Sequence, residues 1–566
     1  MNNISKKIIV FSLLILAGCF AFAQSSQIPH LELRGGTSQL IVKGEPYLVL
    51  GGELRNSSAS SPEYMEDIWP AFNGSGLNTV LAVVSWDQVE PEEGKFDFSQ
   101  LDAMLRDARA NDLKIVILWF GSFKNGGSGY IPGWVGEDYE RFPRAVTRDG
   151  LSVPCLSVFY ENNWVADKKA YVAMMEHIKE VDSEENTVLF MQIENEMGLF
   201  FERDYSEKAE GLFRSEVPKD LMDYLVKNKK NLLPETLELW SNSNYATKGT
   251  WEEVFGKNVT TSEFFMAYYY SNYTDEISKA GKEVYPIPTF VNVALQHEGD
   301  IVPGDYPSGG PVAQVHDVWR VGAPTVDFYS PDIYDAEYSE ILDRYARKQT
   351  AIFVPESGSS AANAVYLIGE HRGIGFSPFG IDGGIRNHQS SDFFDSYRMM
   401  ASFSDLITEH QAKGTIRAAW LSELNPEITE QEFVLGDHKV IIKLSRGFRF
   451  GAQQETQSQG SGMFGPRGMK GYAMVLLMGE GEYLVMGANA QVTFAPADGD
   501  GITAFRKVRE GYFENNVWHP VRWINGDETN VSQDLDQMAL DGQSGYGLLF
   551  RGETPGLQRV WLYDFK

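Results

Sequence analysis

The 566-residue sequence predicts a (β/α)8 TIM barrel followed by a C-terminal all-β sandwich. Three observations carry that reading. From about residue 48 to 380, apolar runs alternate with amphipathic stretches in a βα rhythm. The apolar runs number eight, as a closed barrel requires. From Gly414 onward the rhythm gives way to short β-rich runs separated by Gly and Asp. The length itself calls for two or three domains. The divisions expected are a leader over 1–23, the barrel with an N-terminal hairpin over 24–413, and the sandwich over 414–566.

The eight barrel strands are expected at Leu48 to Leu54, Thr79 to Trp86, Lys114 to Gly121, Thr187 to Glu196, Pro288 to Leu295, Val326 to Tyr334, Ala351 to Glu356 and Gly375 to Gly380. Before them, Leu31-Glu32-Leu33 and Leu40 to Val42 read as a small hairpin. Helices are expected where apolar residues recur at helical spacing: Asp67 to Gly76, Ser99 to Asn111 and Ala166 to Val181. The aromatic cluster Phe264 to Tyr270 predicts a helix packed on the outside, and a helix over Ser391 to His410 is expected to finish the barrel. Later strands are expected at Lys439 to Leu444, Tyr472 to Met478 and Tyr483 to Met486, with a Gly, Gln and Ser-rich loop over 453–471.

Composition narrows the classes of function. A hydrophobic share of 43% with 22% charged residues is globular, and a formal charge of -29 without basic runs argues against a nucleic-acid partner. A neutral substrate suits such acidity better than a polyanion. Lys6 and Lys7, the apolar stretch Ile8 to Ala17 and the small-x-small site Ala21-Phe22-Ala23 form an export signal, so the protein is expected to be periplasmic or secreted. A second reading takes Leu16-Ala17-Gly18-Cys19 as a lipoprotein box, with an outer-membrane lipid anchor through Cys19. After cleavage only Cys155 remains, which precludes an internal disulfide and reads as a small buried side chain. The nine histidines are scattered, with no His-Glu-x-x-His and no cysteine cluster, so neither a metal nor another cofactor is expected.

The chemistry concentrates at two strand ends. Phe190 to Gly198 runs from apolar to acidic and carries Asn195-Glu196, while Ala351 to Gly358 ends its apolar run at Glu356. A retaining glycosidase needs one carboxylic acid to protonate the leaving oxygen and one carboxylate to attack the anomeric carbon, about 5 to 5.5 Å apart. Glu196 and Glu356 end the expected fourth and seventh strands, so both project at one barrel mouth. A strand-end Glu is more often a solvated loop residue, and with 78 acidic residues chance placement is easy. The apolar strands leading to both, with Asn195 before one and Pro355 before the other, shift that balance. Glu194 lies one layer deeper by strand alternation. In a pair of this kind Glu196 is expected to be held protonated while Glu356 stays ionised.

Ser75 to Val80, Ser85-Trp86-Asp87-Gln88-Val89-Glu90-Pro91, Gly94 to Phe98, Gly126-Gly127, Pro132-Gly133-Trp134 and Gln192 to Gly198 together resemble glycoside hydrolase family 35, the β-galactosidases, over roughly residues 45 to 400. The resemblance implies a retaining barrel enzyme in which Glu196 is the acid/base, Glu356 the nucleophile, Glu90 a galactose-binding acid and Asn195 the amide on the sugar 2-hydroxyl. Tyr334 is expected near the nucleophile, and Trp86 and Asn56 at the sugar. The β-rich C-terminal region resembles an accessory domain of a bacterial branch. Gly51-Gly52-Glu53-Leu54-Arg55-Asn56 lacks the family's usual His-Tyr, and Met197 and Ser357-Gly358 replace aromatics. The expected substrate is a β-galactoside in an oligosaccharide or polysaccharide side chain. An arabinoside or glucoside specificity, and a catalytically inactive carbohydrate-binding protein, stay open.

Overall fold

Each of the eight expected apolar runs forms a strand in the computed structural model, which describes residues 28–297, 299–445, 468–531 and 535–566. The leader with Cys19, and the expected loop over 453–471 as far as residue 467, lie outside the described residues. The strands are Val49–Glu53, Thr79–Ser85, Lys114–Lys124, Val188–Asn195, Thr289–Val293, Phe328–Pro331, Phe353–Val354 and Gly375–Phe376, and neighbouring strands pair in parallel. The last gap closes where Ile333 bridges Ser357 and the Ile333 amide donates to the Glu356 carbonyl at 3.0 Å. This closure ties the sixth strand to the seventh beside the candidate nucleophile.

Strand alternation divides the side chains into two cores. Val49, Leu81, Val83, Val116, Leu118, Phe120, Phe190, Phe290, Phe328 and Phe353 fill the barrel interior. Their neighbours Leu50, Val80, Ala82, Ile115 and Met191 face the surrounding helices. The N-terminal hairpin His30–Arg34 and Thr37–Val42 adds Leu40 and Val42 to the interior core, so it plugs one end of the barrel and leaves the other for the site. Outside, Ser99–Ala110 and Glu161–Asp182 are helices, and the aromatic cluster lies in Val259–Val284, packed on Glu161–Asp182. The expected helix over Ser391 to His410 forms as two, Asp392–Ser402 and Ser404–Lys413, because Phe403 leaves helical geometry at φ -137°.

Two antiparallel sheets follow. One runs in the order Ile416–Ser422, Lys470–Gly479, Glu482–Ala488, Gly556–Phe565, Ile502–Glu514, Val517–Trp523, and the other Glu430–Leu435, His438–Leu444, Ala490–Pro496, Leu548–Phe550. Leu421, Val475, Val485 and Val560 of the first meet Phe433, Val440, Val492 and Phe550 of the second in a shared core. The opposite face of the first sheet carries Ala418, Trp420, Met474 and Met486 into the core of the barrel domain. Trp420 Nε1 donates to Asn363 Oδ1 at 2.9 Å, on helix Ala361–Gly369 that follows the seventh strand. Of the other C-terminal tryptophans, Trp523 is 53% exposed, with the Arg509 guanidinium 3.7 Å from its ring centre, and Lys507 lies 3.7 Å over Trp561.

Because the inner strands of the sandwich are covered on both faces, the two parts brace each other. Trp420→Ala should cost about 3–5 kcal/mol, as truncating a buried aromatic does, and should lower the urea midpoint of barrel unfolding as well. A barrel transition that stays in place would show that the sandwich merely hangs on.

Candidate active site

The fourth strand ends on a backbone that ordinary residues avoid. Glu194 and Glu196 have φ of 59° and 43°, and Gly198 has φ 137°. Side-chain-bearing residues reach that region at a cost and are found there mostly at functional sites. Gly198 is required twice over, since a Cβ there would also lie 2.6 Å from Pro307 Cβ. The third strand bulges beside this turn, so that Lys124 pairs with Asn195. The Glu194 carboxylate holds the bulge by accepting from the Ser122 and Phe123 amides at 3.1 and 2.7 Å. Glu194 is thus an internal brace next to Asp167, and Glu196 is the acid that reaches the mouth.

Asn292, on the fifth strand, sets the geometry around Glu196. Its Oδ1 accepts from the Glu196 amide at 3.0 Å, and its Nδ2 donates to Asp332 Oδ2 at 2.7 Å and Asn195 Oδ1 at 3.1 Å. Turned the other way, the Asn195 amide oxygen accepts from Lys124 Nζ at 2.8 Å. Across the mouth, Tyr334 donates to Glu356 Oε2 at 3.0 Å, while Glu356 Oε1 is buried without a partner.

Four carboxyl groups share this opening: Glu53, Glu196, Asp332 and Glu356. Burial, then the charge of Glu196, pushes Glu356 up to about 7, opposed by Lys124 and by the Tyr334 hydrogen bond. Asp332 is pushed well above the carboxylate range by burial and then by Glu356, Glu196 and Glu53. The Tyr334 phenol is raised by burial and by the charge of Glu356. Glu356, expected ionised, is the acid driven toward its neutral form, because only 7% of it meets solvent and a second acid faces it.

The remaining residues expected at the sugar are Trp86, Glu90 and Asn56. Trp86 opens the short helix Trp86–Val89 after the second strand and is buried in the surrounding core, edge-on to Trp134 at 5.9 Å. Its Nε1 donates to Glu90 Oε2 at 3.0 Å, and Glu90 also accepts from the Gly94 amide at 2.7 Å and faces Lys169 at 3.7 Å. These two expected sugar contacts thus hold each other in the structure, and none of the partners named here belongs to the mouth cluster. Asn56 lies just past the first strand, with Oδ1 buried and unpartnered. Cys155 is buried, and burial raises its thiol to about 12. Sequence reasoning passed over Glu53, Lys124, Asn292 and Asp332. All four stand at or near the end of a recognised strand, a signal that was there to use. Among the described residues, no group of three or more His, Cys, Asp or Glu is arranged to hold a metal ion.

Two acids at one barrel mouth, an amide beside the first and a phenol on the second, form the equipment of a glycoside hydrolase. Residues 58–262 match the model of glycoside hydrolase family 42, described as beta-galactosidase, and residues 393–535 match a domain of unknown function, DUF5597. A β-galactosidase of Xanthomonas manihotis is 31% identical over 109 residues, covering 18% of this chain and 18% of that protein. Among solved structures, the chain is similar to a β-galactosidase from the psychrophilic Marinomonas ef1, with 12% identity and a TM-score of 0.42 over 64% of this chain and 60% of that one. It is similar also to a catalytic mutant of a family 42 β-galactosidase from G. stearothermophilus, with 13% identity and a TM-score of 0.43 over 64% of this chain and 57% of that one. The chain thus spans less than a fifth of the curated relative and at most about three-fifths of these structures. The match over 58–262 overturns the resemblance to family 35. An Asn-Glu at one strand tip and a Glu at another recur across barrel glycosidases, so these motifs do not separate one such family from another.

The raised Glu356 has a consequence for stability. Between its ordinary 4.5 and about 7 the folded protein binds more protons here than the unfolded chain does, so stability falls as pH rises through that window. Glu356→Gln should remove the penalty, gaining up to roughly 3 kcal/mol at about pH 8 and nothing below about pH 4.5. Urea unfolding of both proteins across that range measures it, and a variant no more stable than the parent at about pH 8 contradicts it.

Proposed function

We propose that this chain is an exported retaining glycoside hydrolase that releases terminal β-galactose from oligosaccharides or polysaccharide side chains. The observation that carries the reading is the convergence of Glu196 and Glu356 on one opening, close enough for the charge of one to drive the other toward neutrality. The β-galactosidase description of the family matched over 58–262 supports the sugar. Export is supported by the sequence of residues 1–23 alone, and the lipid-anchored reading through Cys19 rests on the same stretch.

The Glu356 carboxylate attacks the anomeric carbon while the bond to the leaving oxygen breaks and Glu196 gives that oxygen its proton. Glu196, now a carboxylate, takes a proton from water, and the water oxygen displaces Glu356 from the sugar. The pair therefore needs one proton in all, resting on Glu196 at the moment of attack. Tyr334 favours this by stabilising the Glu356 carboxylate through its hydrogen bond.

Purified protein should release galactose from an aryl β-galactoside, and Glu356→Ala should lower kcat by roughly a thousandfold or more. Full activity in that variant removes the assignment. Turnover of aryl α-arabinoside or β-glucoside in place of β-galactoside replaces the sugar, and sugar binding without turnover leaves a binding protein. The kcat/KM of the parent should rise as pH increases through about 7, where Glu356 gives up its proton. Tyr334→Phe should move that limb to higher pH, and an unmoved limb would remove the phenol from the account.

A further inference from the structure

Glu53 ends the first barrel strand, and alternation fixes its direction. Val49 lies in the barrel interior and Leu50 in the outer core, so Glu53 returns to the axis at the mouth. The charged groups facing it are Glu356, Lys124, Glu196 and Asp332, brought by the seventh, third and fourth strands and the end of the sixth. Its side chain is fully buried, and neither carboxyl oxygen has a hydrogen-bond partner.

Several buried acids elsewhere in the chain have both oxygens engaged by the protein. Glu194 takes two backbone amides, and Asp167 takes Trp119 Nε1 at 2.9 Å and the Ser122 amide at 3.0 Å. Asp182 takes the Thr187 and Val188 amides at 3.0 and 2.7 Å. Among the described residues, no other buried carboxyl leaves both oxygens open. Glu263 and Asp317 each leave one oxygen open, and at the mouth itself Glu356 Oε1 and Asp332 Oδ1 are also unpartnered. A buried polar group without a partner penalises folding until a ligand completes it. Three such groups around one opening match a ligand that bears several hydroxyls.

We propose that Glu53 is a specificity-determining residue of this site, whose carboxyl binds a ring hydroxyl of the sugar held between Glu196 and Glu356. The inference rests on the glycosidase reading above. Burial, and after it the charge of Glu356, raises Glu53 well above the carboxylate range, with Lys124 opposing. A neutral carboxyl both donates and accepts, so one hydroxyl can be held by two bonds. Nothing in the protein competes for those bonds. A site built to hydrogen-bond a hydroxyl discriminates strongly against the analogue that lacks it, because its own polar groups are then left unpaired.

The test compares the parent, Glu53→Gln and Glu53→Met on an aryl β-galactoside and its four monodeoxy analogues. The parent should disfavour one analogue by about a hundredfold or more in kcat/KM. Glu53→Met should lose about as much on the full sugar and treat that analogue and the full sugar nearly alike. Unchanged selectivity in Glu53→Met, whatever its activity, overturns the proposal. Should Glu53→Met fail to fold, Glu53→Gln decides by the same selectivity measurement. Its amide offers that hydroxyl a different donor and acceptor set, so the penalty for the disfavoured analogue should change, and a penalty identical to the parent's overturns the proposal. A parent that cleaves no aryl glycoside removes the glycosidase reading and this one together, whereas a parent that cleaves with selectivity independent of Glu53 removes this one alone.

Discussion

The site depends on the desolvation of like charges. Glu53, Asp332 and Glu356 sit in the barrel mouth, where burial disfavours the ionised form of each and Glu196 adds repulsion. Lys124 is the cation opposing them at Glu53 and Glu356. Such a cluster tends to push its members apart, and what holds it is backbone. The parallel hydrogen bonds around the barrel and the Ile333 to Glu356 closure fix the strand tips whatever the charges on them. The aromatic interior of Phe190, Phe290, Phe328 and Phe353 lies beneath, with ring centres 5.3 to 6.0 Å apart. An apolar floor of this kind excludes water from below and sharpens each electrostatic term above it.

Much of this was legible in the sequence, and where reading stopped short the reason is geometric. The eight strands announced themselves because each is a short apolar run buried on both faces, which leaves little room for another assignment. That Glu196 and Glu356 share one mouth was legible because each closes an apolar strand of the same barrel. Alternation counted along the second strand stops at Ser85, because Trp86 opens the helix that follows, so the direction of its ring was not legible. The same count from Val49 would have brought out Glu53, which stood in the quoted segment Gly51 to Asn56. Asn292 was hidden because its value lies in two partners, Glu196 and Asp332, that meet it only in the folded barrel. The break at Phe403 left no mark either, since Ser391 to His410 contains no proline or glycine to announce it.

The C-terminal sheets bear on the same opening through a short chain of contacts. Trp420, on the first strand of the sandwich, donates to Asn363 Oδ1 at 2.9 Å. Asn363 Nδ2 donates to Ser357 Oγ at 3.4 Å, and Ser357 Oγ donates to the Ile333 carbonyl at 2.7 Å. Ser357 adjoins Glu356, and Ile333 separates Asp332 from Tyr334. One line of hydrogen bonds thus runs from the sandwich to the seam where the barrel closes. That seam is the weakest part of the wall, because the seventh and eighth strands are two residues long and the sixth only four. Strands so short supply few ladder bonds to hold Glu356 against the charges around it. The sheet packed behind helix Ala361–Gly369 makes up the difference, so its place in this chain follows from where the barrel is thinnest and most highly charged.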